Sequence, residues 1–376
     1  MTETLRIVHC FRSPVGGIFR HVRDLTESQA AAGHLVGIVC DSTTGGDLEE
    51  QLFDELRPSL ALGVTRTPMQ RHISFGDIAD AWRTYGIIKE LKPDILHGHG
   101  AKGGVYSRVF GSLLRVFRFR VARLYTAHGG SLHYDERTAA GKLFFALERM
   151  MARFTDYTLF VSDYERNAYY RKVGKPDRPS ALVYNGLQEV EFVSVPAAPD
   201  AADFLYIGMM RDLKGPDLFI DALAQVEKRI GRPVTAAMVG GGDQLPRYRA
   251  QVQRLGLTPR VHFLDPMPAR LAFALAEFVV VPSRAEAMPY VVLEALAAGK
   301  SMIATAVGGI PEIFGPDSPA LVRPDSGELA ERMAEALLAP ETFAGYMPPV
   351  DQLRSRFGAE TMARDIEKAY VAALPR

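Results

Sequence analysis

Two glutamates, Glu286 and Glu294, flank a proline in the segment PSRAEAMPYVVLEALAAGKS (282–301). The fixed φ of Pro289 suits the first position of a helix, and Gly299 suits the cap at its carboxyl end. Free amides at the start of that helix, together with the helix dipole, favour a phosphate. Because carboxylates repel a phosphate placed directly on them, we expect the glutamates to contact neutral sugar hydroxyls beside it. The alternative is that neither glutamate binds a ligand: one would only interact favourably with the helix dipole, and the other would be a solvated residue on the helix surface.

A basic pair, Arg211 and Lys214, occupies GMMRDLKG (208–215), where a strand-like run passes into a helical stretch. Breaking a sugar–phosphate bond leaves negative charge on the departing diphosphate, which must be neutralised as it develops. Arginine offers a planar fork of donors and lysine a point charge, so the two can replace a metal ion. The sequence contains no Asp-x-Asp pair that would hold such a metal. We therefore expect metal-independent chemistry; the alternative is an exposed pair at a helix start.

The elements that must position these segments follow a regular pattern of short apolar runs and amphipathic helical stretches. Continuous apolar runs such as LRIVHCF (5–11), separated by helices, predict a parallel sheet covered on both faces. The pattern restarts after the Pro- and Ala-rich stretch at 190–203. We predict an α/β protein with two doubly wound, Rossmann-like domains at 1–195 and 200–356. A final helix at 359–376 is expected to complete the first domain.

Glycine- or proline-containing segments follow the predicted strands, at the edge where such sheets hold ligands. Glycine there lets the backbone approach a ligand closely, although one such segment alone also fits a tight turn. The six segments are SPVGGIF, HGHGAKGG, TAHGG, GMMRDLKG, VGGGD and VPSRAEAMPY. Their common position predicts ligand-binding crevices at the strand ends, facing each other between the two domains.

The combination of motifs resembles the retaining family-4 glycosyltransferases (glycosyl transferases group 1). EAMPYVVLE (286–294) has the Glu-x7-Glu spacing of that family, and the supporting motifs follow in the family's order over nearly the whole chain. The resemblance implies the GT-B fold, in which two Rossmann-like domains face each other across a cleft. The first domain would bind the acceptor and the second the nucleotide sugar. One departure is Ala287, where the family often has glycine, and its Cβ is expected to narrow the sugar pocket.

The resemblance also implies roles for individual residues. Arg211 and Lys214 would grip the donor diphosphate, Glu294 would bind the ribose, and Glu286 would hold the donor sugar with the amides that follow it. His128, in TAHGG, would lie beside the reacting sugar, and the alternative is a histidine that bonds backbone in a turn. Gly17 would close over the phosphates from the first domain. The other residues expected to bind the donor are Gly16, Gly240, Met288, Pro289, Tyr290 and Val291.

Three histidines, His97, His99 and His128, follow neighbouring predicted strands and raise the alternative of a zinc site. The loops that carry them contain no nearby acidic or cysteine ligand, so we expect no metal. No cofactor is expected, and the nucleotide sugar is a substrate, with a UDP-sugar favoured over a GDP-sugar.

These observations predict transfer of a sugar from a nucleoside diphosphate to a hydroxyl of a glycan or lipid-linked acceptor, with retention of configuration, in cell-envelope polysaccharide biosynthesis. A second hypothesis is a sugar-nucleotide epimerase of the same fold, which detection of sugar transfer would exclude. A third is a non-catalytic subunit of a glycan-assembly complex. The presence of Arg211, Lys214, Glu286 and Glu294 together argues against the third, because a degenerate relative need not keep all four.

Composition and charge limit the partners and the compartment. The 44 basic and 44 acidic residues give a net charge of zero, which does not favour nucleic acid. Cys10 and Cys40 lie in strand-like apolar runs and are expected to be buried free thiols in a reducing compartment. The amino-terminal residues do not fit a signal peptide, and no apolar run reaches ~18 residues. We expect a cytoplasmic protein.

Residues 101–178 contain 15 Lys and Arg against 7 Asp and Glu, a net charge of +8. Arginines alternate with apolar residues in SLLRVFRFRVAR (112–123), and GKLFFALERMMARF (141–154) predicts an amphipathic helix with aromatic residues. This mixture suits a surface that lies on anionic lipid headgroups, on the inner face of the plasma membrane. The alternative is that the apolar residues are core and the arginines are solvated at its edge.

Overall fold

The computed structural model describes residues 3–69, 76–117 and 119–374, and divides the chain into two compact units. The first unit comprises Met1–Gly186 and Ala359–Arg376, and the second comprises Leu187–Gly358. The alternation of apolar runs and helices therefore corresponds to two α/β units, as the sequence predicts.

In the described part of the first unit, seven parallel strands form one sheet in the order β3-β2-β1-β4-β5-β6-β7. The strands are β1 (Arg6–Phe11), β2 (Leu35–Asp41), β3 (Gly63–Thr67), β4 (Ile95–His99), β5 (Ala122–Thr126), β6 (Tyr157–Phe160) and β7 (Ser180–Leu182). The helices between them are α1 (Gly16–Ala31), α2 (Asp47–Leu56), α3 (Gly76–Leu91), α4 (Gly100–Val116), α5 (Ala139–Ala152) and α6 (Asp163–Lys172). Strands β1 and β4 are buried almost throughout, because helices cover both faces of a parallel sheet.

The second unit has a six-stranded parallel sheet in the order β10-β9-β8-β11-β12-β13. Its strands are β8 (Ala202–Ile207), β9 (Ala236–Val239), β10 (Val261–Leu264), β11 (Ala276–Val281), β12 (Ser301–Thr305) and β13 (Leu321–Val322). Its helices are α7 (Pro216–Ile230), α8 (Leu245–Arg254), α9 (Ala269–Phe273), α10 (Tyr290–Ala297), α11 (Ile310–Phe314), α12 (Ser326–Leu338), α13 (Pro340–Ala344) and α14 (Val350–Phe357).

The last helix, α15 (Ala359–Ala373), belongs to the first unit although it follows the second sheet in the chain. Its buried residues Met362, Ile366 and Tyr370 pack in one core cluster with Ile95 of β4 and Leu124 of β5. Burial of each large apolar side chain contributes about 1.5–3 kcal/mol. This packing accounts for the return of the chain to the first unit.

The boundary between the units differs from the one that the composition suggested. We predicted a linker at 190–203, whereas the chain divides after Gly186 and that stretch belongs to the second unit. Val195 donates its backbone N–H to the carbonyl of Ala298 at 2.9 Å, and Ala198 donates to Ala274 at 2.8 Å. These backbone bonds hold the Pro- and Ala-rich stretch against the second unit.

Cys10 in β1 and Cys40 in β2 are buried free thiols, as predicted. Burial raises the pKa of the Cys10 thiol far above its usual value and raises that of Cys40 to about 12. Both thiols therefore stay protonated and act as small apolar core residues. Across the residues that the structure describes, no helix has the length and hydropathy needed to span a bilayer.

Candidate active site

The strand order of the second sheet places a ligand crevice at a defined point. The order reverses between β8 and β11, and ligands of open α/β sheets bind beyond the carboxyl ends of the strands at such a reversal. The loop after β8 carries Arg211 and Lys214, and the loop after β11 carries Glu286. The three residues that the sequence predicts for diphosphate and sugar therefore flank one switch point.

Lys214 and Glu286 form an ion pair at this point. The Nζ of Lys214 lies 2.6 Å from Oε1 of Glu286, and the same oxygen accepts a bond from Ser283 Oγ at 2.7 Å. The Glu286 side chain is 8% exposed and that of Lys214 is 25% exposed, so the pair is only partly open to water. Thr305 Oγ1, at the end of β12, donates to the carbonyl of Ser283 at 2.6 Å and so fixes the loop that carries the carboxylate.

The loops after β8 and β11 are joined by direct contacts as well. Gly215 has a φ of +68°, and a Cβ at this position would lie 2.0 Å from the carbonyl oxygen of Pro282, so only glycine fits. Arg284 donates its backbone N–H to Leu213 at 2.8 Å and pairs with Asp217 at 2.6 Å. Backbone and side-chain contacts together thus fix the distance between the loop after β8, which carries Lys214, and the loop after β11, which carries Glu286.

Arg211 lies in the same loop as Lys214 and is exposed. Its backbone adopts the extended conformation that precedes the short helical turn Asp212–Lys214. The loop also bonds to the one after β9, because Met210 donates to Gly241 at 2.9 Å and Asp212 to the Gln244 side chain at 2.8 Å. The guanidinium of Arg211 is therefore accessible to an anion from solvent.

Gly308 and Gly240 allow close approach of the backbone within the site. A Cβ on Gly308 would lie 1.8 Å from the carbonyl oxygen of Glu286, and one on Gly240 would lie 2.0 Å from that of Gly208. Gly309 further donates to the carbonyl of Ala287 at 3.0 Å. The contact by which Gly308 supports Glu286 could be seen only in the structure.

Helix α10 begins at Tyr290, one residue later than predicted, with Pro289 as its amino-terminal cap. Met288, Pro289 and Tyr290 are buried, whereas Val291 and Glu294 are half-buried. Gly299 has a φ of +72° just past the helix end, as expected of a carboxyl-terminal cap. Met288, Pro289, Tyr290 and Val291 thus lie at the start of one helix, with Glu294 one turn further along it, and their binding roles remain predictions.

The first sheet has its own switch point, between β1 and β4. Gly16 and Gly17 are exposed at the start of α1, directly beyond β1, and Gly16 has a φ of +67°. His99 ends β4 on the other side of the reversal. The predicted phosphate-binding glycines therefore lie where a doubly wound sheet binds ligands.

His128 follows β5 in a turn of unusual geometry. His128, Gly129 and Gly130 have φ values of +49°, +77° and +24°, and a histidine in this region is strained relative to glycine. The carboxylate of Glu165 accepts the N–H of Gly129 and, at 2.9 Å, that of Val161, which holds the turn in place. Strain maintained by a buried carboxylate is typical of functional sites.

His128 is one of five clustered histidines in the first unit, with His9, His21, His97 and His99. Nitrogens of His9, His97 and His99 lie within 4.8 Å of one another, as do those of His21, His99 and His128. Both ring nitrogens of His97 are occupied by hydrogen bonds to protein hydroxyls, at 2.8 Å each. Burial lowers the pKa of His128 to about 3 and that of His9 to about 4, so the rings are neutral. The sequence pointed to three of these histidines, His97, His99 and His128, but not to the hydrogen bonds through which the cluster is connected.

The basic stretch 112–123 is partly structural. Arg115 and Arg123 both pair with Asp156, at 2.6 and 2.8 Å. Leu114 and Val121 are core residues. Arg118 lies outside the described residues. Leu114 and Val121 thus agree with the alternative that the apolar residues are core, but Arg115 and Arg123 are held in ion pairs and are not the solvated arginines that this alternative expected.

Helix α5 instead carries an exposed apolar stripe. Leu143, Leu147 and Met150 share one face of the helix and are 60, 44 and 46% exposed, and Phe154, which lies just past the helix end, is 42% exposed. The helix's acid, Glu148, is buried and paired with the fully buried Arg108. Exposed basic residues, Lys142, Arg149 and Arg153, follow one side of the stripe.

Family comparison finds matches in both units. Residues 15–189 match the family described as Glycosyltransferase Family 4, and residues 201–339 match the family described as Glycosyl transferases group 1. Over 190 residues the chain is 31% identical to D-inositol 3-phosphate glycosyltransferase 2 of Catenulispora acidiphila. The aligned region covers 47% of this chain and 44% of that protein. The chain spans about half the length of the curated relatives it matches.

Solved structures match the whole fold. HepE of Anabaena in complex with UDP-glucose superposes with a TM-score of 0.78 at 20% identity, over 97% of this chain and 100% of that one. Sucrose-phosphate synthase from Thermosynechococcus elongatus gives a TM-score of 0.76 at 21% identity, over 97 and 98% of the two chains. The two Rossmann-like units thus have the GT-B fold, and the chain belongs to the family-4, group 1 glycosyltransferases.

Proposed function

We propose that this protein is a retaining, metal-independent glycosyltransferase that moves a sugar from a nucleoside diphosphate to a hydroxyl acceptor. The observation that carries the proposal is the Lys214–Glu286 ion pair at the β8/β11 switch point. A cation and a carboxylate held side by side match the two parts of a sugar diphosphate, since the diphosphate is anionic and the sugar carries neutral hydroxyls.

In this proposal Arg211 and Lys214 bind the diphosphate as the bond between the anomeric carbon and the phosphate oxygen breaks. Their charges stabilise the negative charge that develops on the leaving group. The acceptor oxygen forms the new bond on the same face of the sugar, and its proton passes to an oxygen of the departing diphosphate. Glu286, released from part of its contact with Lys214, accepts hydrogen bonds from sugar hydroxyls, while Glu294 binds the ribose. Atoms and charge balance without a further reactant.

The donor and acceptor are proposed by chemical class. The solved relatives include a protein bound to UDP-glucose, and the curated relatives act on inositol 3-phosphate. Another structural relative is a lipopolysaccharide galactosyltransferase. These names support a UDP-sugar donor and a hydroxyl acceptor on a glycan or lipid-linked saccharide of the cell envelope.

We also propose that the protein works in the cytoplasm, with helix α5 lying on the inner face of the plasma membrane. The stripe of Leu143, Leu147 and Met150, together with Phe154 just past the helix end, would enter the headgroup region. Lys142 and its basic neighbours would contact anionic lipid. The burial of Glu148 in an ion pair removes the negative charge that would oppose this contact.

The test begins with a panel of nucleotides and sugar nucleotides added to the full-length protein. A bound donor at about a hundred times its dissociation constant adds ~2.7 kcal/mol of stability. The donor that stabilises is then incubated with glycan and lipid-linked acceptors. Transfer with retained anomeric configuration supports the proposal. Release of an isomerised sugar nucleotide would instead identify an epimerase, and binding without any turnover would identify a non-catalytic subunit.

A further inference from the structure

Seven side chains in the first unit are joined end to end by hydrogen bonds. We name this set of side chains the histidine chain. It comprises His128, His99, His9, Gln29, Tyr370, His97 and Thr126. The links from His128 to His99, from His99 to His9 and from His9 to the Gln29 carbonyl measure 3.1, 3.0 and 2.9 Å. Beyond Gln29, its amide nitrogen donates to Tyr370 Oη at 3.2 Å, and His97 bonds to Tyr370 and Thr126 at 2.8 Å each.

The members of this chain are uncharged at neutral pH. Burial lowers the pKa of His9 to about 4 and of His128 to about 3, and lowers those of His97 and His99 well below their usual value. Burial also raises the pKa of the Tyr370 hydroxyl far above its usual value. A neutral imidazole has one N–H and one lone pair, so each link has a direction that determines the next one.

The direction of the chain is set at Gln29, whose donor and acceptor are separate atoms. Its carbonyl oxygen faces His9, so Nε2 of His9 donates and Nδ1 accepts. His99 must then donate from Nε2 to His9, and His128 must donate from Nε2 to Nδ1 of His99. On the other side, the Gln29 amide donates to Tyr370, which donates to His97, which donates to Thr126. Any single reversed ring would place two protons or two lone pairs in one contact, which is buried at every link except the partly buried one between His99 and His128.

We propose that Gln29, acting through His9 and His99, is a positioning residue that fixes the tautomer of His128 with the proton on Nε2 and the lone pair on Nδ1. This tautomer makes Nδ1 of His128 a hydrogen-bond acceptor. The contact of His128 with the reacting sugar rests on the proposed function. In that contact, the sugar group that faces Nδ1 of His128 must donate a hydrogen bond. A hydroxyl or amino group meets that requirement, whereas a fluoro or methoxy group does not.

The tautomer is measured directly by NMR on the full-length protein labelled with ¹⁵N in its nine histidines. A long-range ¹H–¹⁵N spectrum separates a ring nitrogen that carries a proton from one with a lone pair, and His128→Asn assigns the signal. In the wild type we expect His128 to be protonated on Nε2. The population of this tautomer should exceed that of the Nδ1-protonated tautomer by about tenfold or more. A proton on Nδ1 of His128 would overturn the proposal.

A substitution away from His128 tests the coupling. Gln29→Met keeps the side-chain size but has neither donor nor acceptor, so we expect a second tautomer of His128 to become detectable. Thr26→Val, also buried in α1 and outside the chain, is the matched control and leaves the spectrum of His128 unchanged. An unchanged His128 in folded Gln29→Met would overturn the proposal, and if that variant does not fold, the wild-type spectrum decides. The spectra need no substrate, so failure to detect sugar transfer would contradict the proposed function without affecting this result.

Discussion

The buried histidines predict a loss of stability in mild acid. A histidine buried as the neutral ring has a lower pKa in the folded state than in the unfolded state, where it is about 6.5. Its contribution to stability is therefore fully present above pH ~6.5 and falls as the pH drops toward the folded pKa, because the unfolded chain binds more protons. For His9 and His128 the folded values are about 4 and about 3.

The size of the effect follows from these two values. Between pH 7.5 and pH 5, each of the two histidines lowers the free energy of unfolding by about 2 kcal/mol. Together they remove about 4 kcal/mol, against the 5–15 kcal/mol that is typical of a folded domain. His97 and His99, whose pKa values are also lowered, add to the loss. Asp156 does not oppose the loss in this range, because its lowered pKa keeps that carboxylate ionised above pH 5.

The chain provides a probe for this unit. Its single tryptophan, Trp82, lies in α3 of the first unit, so tryptophan fluorescence in a urea titration reports the unfolding of that unit. We expect the unfolding midpoint to fall between pH 7.5 and pH 5, and His9→Gln to reduce that fall. His262→Gln, at an exposed position of β10 in the second unit, is the matched control. A midpoint that does not change over this range would refute the assignment of neutral buried rings.

Three further predictions concern the second unit and α5. Lys214→Met should lower kcat/KM by roughly 10²–10³, the scale for one charge-stabilising donor, whereas Lys228→Met at an exposed position of α7 should not. A chelator should leave the wild-type rate intact, and loss of activity restored by magnesium would contradict the metal-free mechanism. Gly308→Ala should destabilise the protein by about 1–3 kcal/mol in urea titrations, since its Cβ would overlap the Glu286 carbonyl at a φ of +61°; an unchanged midpoint would exclude that close contact. Leu147→Gln should reduce sedimentation with anionic vesicles, while Leu338→Gln, at an exposed position of the second unit, should not; equal binding of all forms to neutral and anionic vesicles would contradict the α5 surface.

The two sheets were predictable because their central strands are buried on both faces. Runs such as FVVV in β11 have no polar alternation, and a parallel sheet between helices is the arrangement that buries such a run completely. The common position of the candidate site residues in the second unit was predictable for a related reason. Arg211, Lys214 and Glu286 each follow a strand, and parallel strands end at a common edge.

Two features could not be read from the sequence, because they depend on residues that are distant in the chain. The arginines in 112–123 have the spacing of a lipid-binding stretch, but Asp156 pairs with two of them from 41 and 33 residues away. Gln29 and Tyr370 are 341 residues apart, and both lie on helices whose periodicity indicates only that one face is buried. Hydrogen-bond partners on buried faces leave no local signal in the sequence.

The position of Tyr370 gives α15 a second role in the first unit. Its ring packs in the core with Met362 and Ile366, which explains the apolar face of the helix. Its hydroxyl bonds both to Gln29 of α1 and to His97 of β4, and so joins the two halves of the histidine chain. A helix held by apolar contacts alone could be replaced by any apolar segment of similar length. Because the hydroxyl also satisfies two buried polar groups, the last helix completes a network that extends to His128 at the end of β5.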